Sequence, residues 1–417
     1  MTTRPGATVL VLCAFACQPD EQDALTPQIE IRDSAGIRII ENPRPLEGLR
    51  LPWRIGPEPT VSIGERTGEE PYMLYLPSSF FRFPDGRIVV ANRGTEEVRV
   101  FDSRGTHLAT WGGEGDGPAE FGALADVAPW PGDSVMAWDF GDYGVSIFAA
   151  DCNYARSFFL QSGTDPPRRG PRPVAARADG TILSIDDRRF GDSALVQVWD
   201  AEGGVLPSPG VLPNEEVREV RVPGGSTERV GVAYTRQLLT AVWGDLVVAT
   251  LNKPYEIRAL RADGALARIV RLDHEPRVPT EAHRQTYVEG RMAERRGSVD
   301  ALTGEPIPDA LLAMMREAFD AIPVAEHFPA FSAILTDDTG HLWVREYDYP
   351  QEERPAPLWT VFDPAGRVLG YVETPRGLLI GQIGEDYILG RAEDELGVEY
   401  VQLWPLARSE AEQGQRP

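Results

Sequence analysis

The sequence predicts an all-β fold, a six-bladed β-propeller with a small helical insertion between blades four and five. Three observations carry that expectation. A turn glycine followed by a β run recurs six times along the chain. Where nothing long intervenes, the recurrences are evenly spaced. Gly (41) and Pro (36) are plentiful across the 417 residues, which suits many turns and short strands rather than long helices.

The repeats can be taken in order. "DGRIVVAN" carries Gly86 and ends at Asn92; "PGDSVMAWD" carries Gly132 and ends at Asp139; "DGTILSID" carries Gly180 and ends at Asp186. "WGDLVVAT" gives Gly244 and Thr250, "TGHLWVRE" gives Gly340 and Glu346, and "GEDYILGR" gives Gly384 and Arg391. Each run is rich in β-branched or aromatic residues. Asn92 to Asp139 is 47 residues, Asp139 to Asp186 is 47, and Glu346 to Arg391 is 45. A period of about 40–50 residues is that of a four-stranded propeller blade. Further strands follow each run. "EEVRVFDSRGTHLATWG" reads as two strands joined at an Asp-Ser-Arg-Gly turn, and "LVQVWDAEGGVL", "YEIRALRADGALARIV" and "LWTVFDPAGRVLGYV" repeat the pattern.

Two intervals are longer. The stretch 204–230 reads as an extended loop with a strand or hairpin. Residues 280–296 and 308–322 place apolar residues at three- and four-residue spacing behind Thr280 and Pro308-Asp309, which predicts two helices. They form the insertion, at about 276–325. The last blade offers three strands from 377 onward. Two β runs lie around Asp33-Ser34-Ala35-Gly36 in residues 27–42, so an amino-terminal strand is expected to complete that blade and remove two sheet edges.

The amino terminus reads as a targeting segment. Arg4 precedes an apolar run at 7–16, too short to span a bilayer. The run ends at "AFAC", which resembles a bacterial lipobox with Ala14 where Leu is usual. That resemblance implies cleavage before Cys17 and lipid on it; an ordinary secretory signal and an uncleaved anchor are the alternatives. The organisation is then a signal at 1–16, a tether at 17–26, the propeller at 27–407 and a tail at 408–417. Gln18 stands where inner-membrane lipoproteins of enteric type carry Asp, which favours the outer membrane. With Cys13 and Cys17 so assigned, Cys152 has no partner, so no disulfide framework or Cys-rich zinc site is expected; Cys152 reads as a small packed residue.

The net charge of −23 disfavours nucleic-acid binding, which needs clustered Lys and Arg. The one basic run, 168–173, reads as a solvated loop. No G-x-S-x-G, H-E-x-x-H or C-x-x-C is present, and "GGEGDGP" lacks the Gly-Lys-Ser/Thr ending of a phosphate loop.

"IRDSAGIRIIEN", "DGRIVVANRGTEEVRVFDSRG" and "WGGEGDGPAEF" together resemble bacterial six-bladed β-propeller proteins related to NHL repeats. The Gly-Pro-Gly-Glu-Phe usual in that group stands here as Gly117-Pro118-Ala119-Glu120-Phe121. The resemblance spans nearly the whole mature chain and implies fold rather than activity.

The candidate constellation is the residue closing each repeat: Asn92, Asp139, Asp186, Thr250, Glu346 and Arg391. Equivalent positions in a propeller are related by rotation, so six of them form a ring. Asn92, Asp139, Asp186 and Glu346 could supply oxygens to a hard cation such as Ca²⁺, with Arg391 holding a substrate carboxylate. This resembles metal-dependent lactonase-type propellers. The plainer reading is that a polar residue after a strand caps the next turn. The Trp residues read as inter-blade packing, and the loop with Tyr347 and Tyr349 reads as an exposed binding loop for a sugar or peptide. Two functions follow. The first is an envelope protein, lipid-anchored at Cys17, that binds a protein or small ligand through its blade loops without catalysis. The alternative is a Ca²⁺-dependent lactonase-like hydrolase or lyase.

Overall fold

The computed structural model describes residues 28–141, 143–150, 153–160, 171–177, 179–187, 191–221, 227–296, 298, 305–352 and 354–408. The proposed signal, Cys17 and Cys152 lie outside them.

Six antiparallel blades run in chain order. Blade one is Pro77–Arg82, Ile88–Asn92, Glu97–Phe101 and His107–Gly112. Blade two is Leu124–Trp130, Ser134–Asp139, Gly144–Phe148 and Tyr154–Phe159, and blade three is Arg172–Ala176, Ile182–Asp186, Ser193–Trp199 and Val205–Pro213. Blade four is Leu238–Trp243, Leu246–Leu251, Glu256–Leu260 and Leu266–Leu272, and blade five is Phe331–Thr336, Leu342–Glu346, Leu358–Phe362 and Val368–Glu373. Blade six contributes Leu379–Ile383, Tyr387–Glu393 and Glu399–Ala407. The first strand of each blade touches the first strand of the next, and blade six returns to blade one, so the ring closes. The basic run at 168–173 is in part not a loop: Arg172 and Pro173 begin the first strand of blade three.

The turn chemistry explains the repeat. Gly86, Gly132, Gly180, Gly244 and Gly340 all take positive φ, the conformation that side chains disfavour. The Asp-Ser-Arg-Gly turn closes because Asp102 Oδ1 accepts from the backbone N–H of Arg104 and Thr106, both at 2.8 Å. Asp200 and Asp363 do the same in blades three and five. Between blades one and two, Gly112 and Gly113 have positive φ, and Phe121 packs so closely on Gly112 that a Cβ there would lie 2.6 Å from its ring. Trp138, Trp199 and Trp343 are fully buried in the blades.

The amino-terminal expectation is half right. An amino-terminal strand does complete blade six, but it is Val61–Ile63, paired with Val401–Leu403, with Arg54–Ile55 pairing Leu406–Ala407. The runs at Glu30–Ser34 and Ile37–Asn42 form a hairpin that goes elsewhere. Ile37–Asn42 adds in parallel to the outer strand of blade four, making a six-stranded sheet. Between these attachments the chain crosses the rim of blade five, where Leu51 N–H donates to Tyr371 O at 2.8 Å. Trp53 and Arg408 meet at the seam of blades five and six. There the buried Asp337 carboxylate accepts from Trp343 Nε1 at 2.9 Å and Arg408 Nη2 at 2.8 Å, and the Arg408 guanidinium lies 4.4 Å from the Trp53 ring. Arg408, His341 and the Trp343 N–H together hold the Asp337 carboxyl well below the usual range against the opposing pull of burial.

The long interval after blade three holds the hairpin Val217–Arg221/Thr227–Gly231, and helices Glu281–Arg296 and Asp309–Asp320 stand between blades four and five. In a four-stranded meander the second strand ends where the fourth does. The residues closing the second strands, the blade-to-blade crossings, the hairpin and the helices therefore share one face, called here the insertion face.

Candidate functional site

The six strand-end residues all lie on the insertion face, one strand out from the innermost. Asn92 Oδ1 accepts from Tyr75 N–H at 2.7 Å and its Nδ2 donates to Thr95 Oγ1 at 2.7 Å. Asp139 accepts from the N–H groups of Gly122, Ala123 and Gly141, tying the blade crossing to the turn. Thr250 Oγ1 donates to Glu256 O at 2.6 Å, and Arg391 donates to Pro77 O and Glu399 Oε1, both at 3.1 Å. Asp186 is buried at its strand end. The partners just named are backbone or neighbouring side chains, none of them another member of the set. Among the described residues, no three His, Cys, Asp or Glu side chains gather where they could hold a metal ion.

Glu346 differs. Its buried carboxylate accepts from Thr360 Oγ1 at 2.6 Å, from Tyr255 OH of blade four at 3.0 Å, and from Arg44 Nη2 at 3.1 Å. Arg44 belongs to the chain crossing the rim, so one side chain joins blade four, blade five and the amino-terminal segment. Burial and the adjacent carboxylate push the Tyr255 hydroxyl well above its ordinary range. Arg44 Nη1 also reaches His274 Nδ1 at 3.2 Å. Arg44 can only donate, so Nδ1 accepts and the imidazole is neutral. Burial first and Arg44 second lower the His274 pKa in keeping with that.

Two cavities meet at Pro254 and His274. One, of about 600 Å³, lies between the amino-terminal hairpin Glu30–Asn42 and blade four, but Arg271 on its wall is committed to Glu41 at 2.7 Å and Glu256 at 2.6 Å. The other, of about 410 Å³, lies beneath the insertion, lined among others by Glu216, Arg218, Arg236, Lys253, Glu326 and Phe328. Lys253 is the only lysine in the chain. Its Nζ and Arg218 Nη2 each stand 3.5 Å from the Glu216 carboxylate. Arg236 Nε donates to Asn214 O at 3.2 Å; among the described residues its two amino nitrogens have no hydrogen-bond partner. Three cations thus face two carboxylates, a local reversal in a chain of net charge −23.

The insertion is tied to the propeller on both sides. Tyr234 OH donates to His283 O at 2.6 Å, and Gln351 Nε2 donates to Thr286 Oγ1 at 2.6 Å. Arg277 pairs with Glu352 and lies 4.0 Å over the Tyr349 ring. Tyr347 and Tyr349 are not an open platform: both pack on the buried Phe328, with centroids 5.7 and 5.3 Å away. Burial pushes the Tyr347 hydroxyl up to about 12. They fasten the insertion instead of presenting it.

The sequence reading missed Arg44, Tyr255 and the residues of the smaller cavity. The lone lysine was a signal available from composition. The innermost strands also carry Asp126, whose carboxyl burial pushes up and Arg172 and Arg93 partly restrain.

No family profile matches the chain, and no curated protein matches it in sequence. Solved structures match it in shape. A member of the DUF4221 family from Bacteroides vulgatus aligns with a TM-score of 0.50 and 9% identity, over 86% of this chain and 99% of that one. A candidate exported protein from Bacteroides fragilis aligns at 0.47 and 12%, over 89% and 99%. A gluconolactonase from Xanthomonas campestris aligns at 0.36 and 12%, over 78% and 83%. At such identities the likeness concerns the fold alone.

Proposed function

We propose that the chain is a non-catalytic binding propeller of the cell envelope, lipid-anchored at Cys17, that takes a small ligand on its insertion face. The observation that carries this reading is the roughly 410 Å³ cavity beneath the insertion, with the chain's only lysine in its wall. That volume is within the range of small-molecule sites, and its rim is held by fastened rather than loose elements. The strand-end residues, by contrast, are largely occupied in turns and seams. The competing reading is a Ca²⁺-dependent lactonase-like hydrolase or lyase over Asn92, Asp139, Asp186 and Glu346.

A thermal-shift screen of small metabolites on the purified protein, run beside a lactone and ester hydrolysis screen with Ca²⁺ or EDTA, separates the two. The binding reading expects a compound that raises the melting temperature, by about 2.7 kcal/mol of stability at one hundred times its Kd. It expects Lys253→Ala to remove that effect, and no turnover. Turnover that needs Ca²⁺ and stops with EDTA would replace it with the enzyme reading. Loss of activity in Asp139→Ala alone would not, because that side chain also holds three backbone N–H groups.

A further inference from the structure

We propose that the cavity beneath the insertion takes a small organic carboxylate. Its head would meet Arg236 and Lys253, and its apolar body would lie against Phe328, Pro254 and Pro276. This rests on the binding reading above and names the ligand class for the same site.

The charge arrangement points to an anion. Glu216 stands between Arg218 and Lys253 at 3.5 Å from each, long for a closed ion pair. It holds two cations in place while Arg236 adds a third. Arg236 is itself positioned. Its Nε is held by Asn214 O, and the buried Asn214 side chain accepts from Leu238 N–H at 3.0 Å. Glu216 is fixed from the other side, its N–H donating to Thr235 Oγ1 at 2.6 Å. A guanidinium held by one nitrogen, with its amino edge without a partner among the described residues, offers the planar fork that a carboxylate fits in two-point fashion.

The same wall argues against a phosphate. Glu216 and Glu326 stand in the lining, and a dianion would be repelled by both more than a monoanion would. Beside the charged groups and the imidazoles of His274 and His327, the lining is Pro254, Pro276, Phe328 and Ala330, which suits an organic body behind the charged head.

The lone lysine gives a one-site reporter. Lys253 is the only side-chain amine, so an amine-reactive reagent followed by peptide mass spectrometry reads occupancy of this cavity directly. The probes are benzoate, phenylacetate and hexanoate, against benzyltrimethylammonium, benzyl alcohol and inorganic phosphate. The expected result is that at least one carboxylate slows modification of Lys253 several-fold and the other three probes do not. Arg236→Gln should abolish that protection with the melting curve unchanged within a few degrees, and Arg236→Lys should restore only part of it. Equal protection by benzyl alcohol or benzyltrimethylammonium would overturn the carboxylate and leave a binding cavity standing. Stronger protection by phosphate would overturn it in favour of a phosphate site. No protection by any probe on the folded protein would overturn the ligand class and the binding reading at this cavity together.

Discussion

Asp139 and Glu346 occupy the same place in two blades, yet they do different work. Asp139 closes the second strand of blade two and spends its oxygens on backbone N–H groups within its own neighbourhood. Glu346 closes the second strand of blade five and spends its oxygens on side chains from three segments, one of them 302 residues away. Repeat symmetry fixes where a polar residue stands, and the chain that passes beside it fixes what that residue does. Blade two has only its own turn and the crossing from blade one to serve. Blade five is crossed by the amino-terminal segment and faces the insertion, so the equivalent position becomes a joint.

Five measurements sharpen or break this contrast. The largest effect is expected for Glu346→Ala, which leaves the Tyr255 and Thr360 hydroxyls and the Arg44 guanidinium without their acceptor. Denaturant unfolding should show a loss of about 3 kcal/mol. Asp139→Ala comes next, at about 2 kcal/mol, because the N–H groups it leaves are partly reached by water. If Asp139→Ala proves the more damaging, the seam is not the tighter joint. Arg44→Ala should cost about 1 kcal/mol, since its side chain is 40% exposed and solvent screens the pair. A double-mutant cycle with Glu346→Gln should find coupling between them and none between Arg44 and Asp139.

The smallest effect is the pH dependence of His274. Its folded pKa lies below the ordinary value of 6.5, so the unfolded chain binds the proton more readily. The contribution to stability is complete above about 6.5 and is lost as pH falls from there through the folded value. Stability measured from pH 8 to 5.5 should decline less in His274→Gln than in the wild type. An identical slope in both would show that the Arg44–His274 contact carries no linkage.

The blades were legible because the units repeat the same local chemistry: β-branched runs throughout, a turn glycine at positive φ in blades one to five, and in blades one, three and five an Asp that closes the next turn. The helices were legible from Thr280 and Pro308-Asp309. The closing strand was not, because Val61-Ser62-Ile63 is too short to stand out from its surroundings. The hairpin at 30–42 was visible as two strands, but its destination was not, since alternating residues suit any open edge. The strand-end residues were found as positions, with turn capping as their plainer role, while the seam contacts of Glu346 were hidden. Arg44, Tyr255 and Glu346 are scattered in sequence, and only the seam between blades four and five gathers them. Tyr347 and Tyr349 were misread for a related reason: polar neighbours suggested exposure, and the insertion that covers them comes from another part of the chain.

The path of the amino-terminal segment also decides how the molecule bears force. A lipid at Cys17 would stand eleven residues from Gln28, a reach of at most about 40 Å. A pull from that end would arrive at the rim of blade four, on Glu30–Ser34, whose residues are all exposed and pair only with Ile37–Asn42. Peeling would then meet Ile37–Asn42 on blade four, Arg44 on Glu346, Leu51 on Tyr371 and Trp53 beneath Arg408. Only after these would tension reach Val61–Ile63, the strand that shuts the ring. The attachments lie in series ahead of the clasp, so the rim yields first and the propeller stays closed while it does.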